Sequence, residues 1–86
     1  MTPRPSTPDP ALAATLRRMR AERGITREAL AFRSGITTGS LARIELAQAA
    51  PGWDTVRLLA RGLDVSMVEL SAAVEGQSLS AVSFRY

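Results

Sequence analysis

Apolar positions recur along this chain at helical spacing, in five short runs whose ends carry recognisable stop and start signals. Leu12, Leu16 and Met19 stand at i, i+4 and i+7 and give a first helix one apolar face. Asp9 suits its N-cap and Pro10 its first turn, and Gly24 supplies a left-handed stop. Thr26 caps a second helix that runs to about Ser34, with Leu30, Ala31 and Phe32 read as inward and Gly35 ending it. Thr37 caps a third, with Leu41 and Ile44 four and seven positions on. After the turn at Ala49–Gly52, Asp54 is expected to cap a fourth helix, with Trp53 stapled onto Leu58. Val56, Leu59, Ala60 and Leu63 form the inner side of that helix, and Gly62 loosens its end. Ser66 and Glu69 form a capping box for a fifth helix, with Val68, Leu70 and Val74 as apolar positions, Met67 pointing outward and Gly76 as the stop.

One break in this pattern matters more than the others. In "LAFRSGITTGSLARIE", Leu30 to Glu45, a good amphipathic run is cut by "SGIT" into two short pieces. Two short helices around a tight turn containing Gly make a helix-turn-helix, and the turn sets the second helix across the first so that it projects. A projecting helix fits the major groove of duplex DNA. The details agree: Ala31 is small where the helices cross, Gly35 sits where positive φ is needed, and Ile36, Leu41 and Ile44 plug the core.

The ends of the chain read differently. "MTPRPSTPDP" holds four prolines in ten residues and has no apolar core, so residues 1–8 are expected to be a disordered leader and not a secretory signal. Residues 9–76 form the expected helix-turn-helix domain. In residues 77–86, "SLSAVSFRY" alternates loosely, with Val82, Phe84 and Tyr86 on one side. That tail is read either as a short strand, needing a partner strand, or as a frayed, disordered terminus.

Composition narrows the chemistry. Eighty-six residues allow one domain, and a thin core favours an all-helical bundle. There is no Cys and no His, which removes the best nucleophile, the commonest general base and the usual transition-metal ligands. No enzyme, cofactor or metal is therefore expected. No apolar stretch approaches the ~20 residues that span a bilayer, and a cytoplasmic protein is expected.

The net charge of +3 is unevenly placed. Arg17 to Arg43 holds seven Arg and two Glu, or +5, whereas Ile44 to Glu75 holds two Arg and five acidic residues, or −3. Such asymmetry suits a polyanion on one face.

The run "LRRMRAERGITREALAFRSGITTGSLARIELAQAAPGWDTVRLLARGLDVSMVEL" resembles the Cro/phage-repressor type, or XRE-like, helix-turn-helix domain. The likeness covers Leu16 to Leu70 and rests on "LRRMRAERGIT", "LAFRSGI", "LARIE", a Pro after the third helix and "LARGLDVSMVEL". It implies an all-α, five-helix bundle of the lambda-repressor-like type, usually dimeric, in a transcriptional regulator.

The resemblance also implies residue roles. Thr38, Gly39 and Arg43, flanked by Ala42, occupy positions on the recognition helix that usually face base edges. Arg27 stands where relatives usually carry a Gln bonded to phosphate, and an Arg keeps a donor there and adds charge. Thr37 and Ser40 match positions that often contact the DNA backbone. Arg20 and Glu45 match a buried salt bridge between the first and third helices, which orients more than it stabilises. Arg17, Arg18 and Arg23 are read as solvated.

The sequence departs from the family pattern at two places. Gly39 puts no side chain where a base reader usually stands, and this leaves Arg43 as the strong reader, suited to guanine O6 and N7. "LAQAA", Leu46 to Ala50, replaces a polar loop, so only Gln48 and backbone amides remain there to grip phosphate.

Two functions remain open on these residues. One is a sequence-specific regulator that binds double-stranded DNA as a homodimer, with helix 38–45 in the major groove. The other is a protein-interaction or antitoxin-like module that keeps the fold but reads DNA weakly, with a protein partner on the fifth helix and the tail.

Overall fold

The computed structural model describes the backbone of residues 7–83 and the side chains of residues 7–77. Phe84 and Tyr86, two residues of the alternating tail pattern, and most of the leader lie outside the described residues. Five helices follow in order: α1 (Pro10–Glu22), α2 (Arg27–Ser34), α3 (Thr38–Glu45), α4 (Trp53–Gly62) and α5 (Met67–Ser83). The described residues form no strand.

Local chemistry sets the helix starts. The Asp9 carboxylate accepts from Ala11 N at 2.9 Å, Thr26 Oγ1 from Ala29 N at 3.0 Å and Thr37 Oγ1 from Ser40 N at 3.0 Å. Each satisfies one of the amides that a helix N-terminus leaves without a partner. At α5 the capping box closes both ways: Glu69 N donates to Ser66 Oγ at 3.0 Å, and Ser66 N donates to Glu69 Oε1 at 3.2 Å.

The ends follow one motif, in which a residue turns left-handed and the chain folds back onto the last turn. After α2, Gly35 has φ +73°, and Ile36 N reaches Ala31 O at 3.1 Å. After α3 the left-handed residue is Ala47 (φ +56°), with Gln48 N reaching Arg43 O at 2.8 Å. After α4 it is Asp64 (φ +60°), with Val65 N reaching Ala60 O at 2.9 Å.

Leu16, Leu30, Leu41, Leu59, Leu63 and Leu70 are fully buried and form one core, with Ala31 closing the α2–α3 crossing. Helix α2 packs on α3 and α4, and α1 packs on α3 and α5. The helix-turn-helix is thus braced from behind by α1 and α4.

Several sequence expectations are corrected here. Phe32 is 87% exposed, because Leu30, Ala31 and Ser34 already form the buried stripe of α2 and Phe32 falls outside it. Asp54 is not the cap of α4: that cap is Gly52, without a side-chain bond, and Asp54 stands in the first turn, where a carboxylate favours the helix dipole. Trp53 is consequently the first helical residue and is 66% exposed, not stapled into the core.

Gly62 does not loosen α4. It is buried, and a Cβ there would lie 2.3 Å from Ser34 Oγ, so the glycine lets α2 and α4 approach. On α5, Met67 packs against the core and Val68 is the outward residue. Gly76 does not stop α5, which continues to Ser83 in place of a strand at 77–83. Gly76 lacks the positive φ of a C-cap, and extending a formed helix costs far less than ordering a strand with no partner.

Candidate nucleic-acid interface

Helix α3 is eight residues long, so its axis spans about 12 Å. Its inner side carries Leu41, Ile44 and Glu45, all buried. Its outer side carries Gly39, Ser40 and Arg43, which are exposed, with Thr38 and Ala42 half-buried at the margins. The four residues expected to face bases therefore lie on or beside one open face. A Cβ at Gly39 would meet nothing within 4 Å, so this face is low and unobstructed near its start.

The residues expected to hold phosphate stand at the start of α2, at the two ends of α3 and, for Ser40, on its outer side. Thr37 is exposed, and its hydroxyl oxygen is used as the α3 cap. Gln48 is exposed beyond the end of α3, its backbone amide tied to Arg43 O. Arg27, the first residue of α2, is half-buried and is not free: its Nε donates to Glu45 Oε1 at 3.0 Å.

Glu45 is the hub of this region. Its side chain is fully buried at the end of α3. Arg20 meets it in a fork, with Nε 2.9 Å from Oε2 and Nη2 3.1 Å from Oε1. Arg20 Nη1 also donates to Ile25 O at 3.2 Å. Arg17 Nη1 donates to the Glu45 carbonyl oxygen. Three helices are joined at this residue, and a buried carboxylate needs partners of this kind because removing them would leave its charge uncompensated.

Arg17 and Arg23 are exposed, as expected, but both also bond protein acceptors. Arg17 makes the contact just described, and Arg23 donates to Leu63 O at 3.0 Å and Met19 O at 3.2 Å. Arg33 reaches Gly62 O at 3.4 Å, and Arg18 pairs with Glu22 on the surface at 3.3 Å. Of the seven arginines from Arg17 to Arg43, only Arg43 has no hydrogen-bond or ion-pair partner among the described residues.

The Arg27–Glu45 and Arg17–Glu45 contacts were not legible in the sequence, since they join residues 18 and 28 apart. The exposure of Phe32 did leave a signal, because it sits about 200° around α2 from buried Leu30.

No helix among the described residues is long and apolar enough to cross a membrane. The described residues also hold no group of three or more acidic, His or Cys side chains suited to a metal ion.

The fold has close relatives among known structures. The wild-type restriction-modification controller protein C.Esp1396I superposes with a TM-score of 0.81 at 24% identity, over 88% of this chain and 99% of that one. The same controller protein as a tetramer on its natural 35 base-pair operator gives a TM-score of 0.80 at 24% identity, over 87% of this chain and 99% of that one. The clp gene regulator ClgR of Corynebacterium glutamicum gives 0.78 at 27% identity, over 94% of this chain and 86% of that one. A sequence search of curated proteins gives no match. The profile of the helix-turn-helix domain family matches residues 11–73, nearly all of the five-helix body. The chain belongs to the helix-turn-helix domain family.

Proposed function

We propose that this protein is a transcriptional regulator that binds specific double-stranded DNA sites, with α3 in the major groove. The observation that carries the reading is Arg43. It stands on the open face of α3 with all its donors unspent among the described residues, while each other arginine of the basic half gives at least one donor to a protein partner. A guanidinium on an exposed helix is suited to bidentate bonding with guanine O6 and N7. Thr38, Gly39 and Ala42 form the smaller contacts beside it. Arg27, Thr37, Ser40 and Gln48 meet phosphate, which fixes register without reading sequence. The operator-bound controller protein of the same fold supports a DNA ligand.

The working form is a homodimer on a two-fold site, its recognition helices in major grooves about 34 Å apart. A groove lined by Leu12, Trp53, Val56, Met67 and Val74, with exposed Trp53 at its edge, offers apolar surface for the second copy.

Selection of bound duplexes from a random pool tests the reading, followed by affinity measurements on the selected site. A two-fold motif is expected. Arg43→Ala is expected to cost ~1–3 kcal/mol and to relax preference at one base per half-site. With Arg27 on phosphate and Arg43 in the groove of each subunit, about two to four charges are neutralised per dimer, and log K is expected to fall with log salt at a slope of about −2 to −4. Unchanged operator choice in Arg43→Ala would remove the recognition role. The protein-interaction reading draws on exposed Phe32 and Val68, and it would prevail if no duplex bound at low salt while a protein partner did.

A further inference from the structure

Arg20 and Arg27 both bond Glu45, yet they spend their donors differently. Arg20 commits Nε, Nη1 and Nη2 to protein acceptors, and its side chain is 20% exposed. Arg27 commits Nε alone, and its side chain is 32% exposed. Its two Nη atoms carry four N–H donors, and none has an acceptor among the described residues. Glu45 contributes one negative charge against two guanidinium groups, so the cluster keeps a formal charge of +1.

The place of Arg27 is locally unfavourable. It is the first residue of α2, where the helix dipole disfavours a cation. The Glu45 carboxylate offsets that cost, and an anion arriving at the same helix end would do so further. A guanidinium held by one edge also loses little freedom when its remaining donors engage a second anion, because its plane is already set.

We propose that Glu45 is a positioning residue for DNA binding: by holding Arg27 through Nε, it presents the Nη donors at the start of α2 as a preset clamp for one backbone phosphate. The inference rests on the DNA-binding reading above. It makes Glu45 more than a brace, because the last residue of the recognition helix then sets both the tilt of α3, through Arg20, and the phosphate contact of α2, through Arg27.

A double-mutant cycle on the full chain tests this. Affinity for the selected duplex is measured over a salt series for the wild type, Glu45→Gln, Arg27→Gln and the double variant, with the folded fraction followed by circular dichroism. Arg27→Gln is expected to weaken binding to all sequences alike and to reduce the salt slope by about two, one contact from each subunit of the dimer. Glu45→Gln is expected to weaken binding about fivefold when Arg27 is present and less than about twofold when it is absent. Equal weakening in both backgrounds would show a purely structural role and overturn the proposal. Tighter binding by Glu45→Gln would also overturn it, since Glu45 would then be withholding Arg27 from DNA.

Should Glu45→Gln fail to fold, Arg27→Lys decides. It keeps the charge but not the fork, so an unchanged salt slope with about fivefold weaker binding is expected, and wild-type affinity would overturn the proposal. If the wild type itself bound no duplex at about 50 mM salt, the regulator reading would fall, an outcome distinct from any pattern among the variants.

Discussion

Replacing Gly62 by Ala perturbs the contact that holds the helix-turn-helix against α4. An added Cβ would lie 2.3 Å from Ser34 Oγ, 3.0 Å from Leu30 Cδ1 and 3.4 Å from Ser34 Cβ. The first distance is impossible without movement, and Ser34 is buried at 2% exposure, so its hydroxyl has little room to rotate into. Overpacking of this kind costs ~1–3 kcal/mol. Against it stands the helix-propensity gain of Gly to Ala, ~0.5–1 kcal/mol. The clash wins, and a net loss of about 1–2 kcal/mol is expected, or roughly 5–15 °C in Tm for a domain of this size.

Urea and thermal unfolding by circular dichroism measure the effect. Ser34→Ala sharpens the test, because Ser34 Oγ is buried and has no hydrogen-bond partner among the described residues. Removing it is expected to stabilise the wild type by about 1 kcal/mol, since an unsatisfied buried hydroxyl carries a penalty of ~1–3 kcal/mol. In the Gly62→Ala background it is expected to restore most of the loss. If Gly62→Ala were as stable as the wild type, the close α2–α4 approach would not be real. If the double variant were no better than Gly62→Ala, the hydroxyl would not be the obstacle.

Two further changes probe other parts of the framework. Ala47→Gly relieves a left-handed residue that bears a Cβ and is expected to raise stability by about 1 kcal/mol in urea unfolding, whereas an unchanged midpoint would mean that the gained chain entropy cancels the relief. Phe32→Ser alters a ring that is 87% exposed, so a change within about 0.5 kcal/mol is expected, and a loss of several kcal/mol would place Phe32 in the core after all.

How far the sequence could be followed depended on the range of the interaction. The caps Asp9, Thr26 and Thr37, the Ser66–Glu69 box and the stop at Gly35 act within a few residues, and each lies where its residue type suggests. The reading failed where local rules compete. Asp54 and Gly52 are both good caps, and the structure uses Gly52. Gly62 and Gly76 both resemble stops, but one serves packing and the other lies inside a continuing helix. The actual left-handed end of α4 is Asp64, a type that adopts this conformation less readily than Gly.

The candidate site divides in the same way. The family resemblance singled out Gly39, Ser40 and Arg43, and the structure leaves them exposed because the buried stripe of α3 is Leu41, Ile44 and Glu45. Which arginines remain available was settled only in three dimensions. Arg27, Arg20 and Arg23 take partners 18, 25 and 40 residues away, and such pairings depend on how the helices pack. Sequence therefore determined the five helices and the exposed side of α3, whereas tertiary structure decided that Arg43 has no partner among the described residues and that the Glu45 carboxylate binds two arginines at once. The physical reason is that helix ends and faces obey short-range rules, while a buried carboxylate takes whichever cations the packed core brings to it.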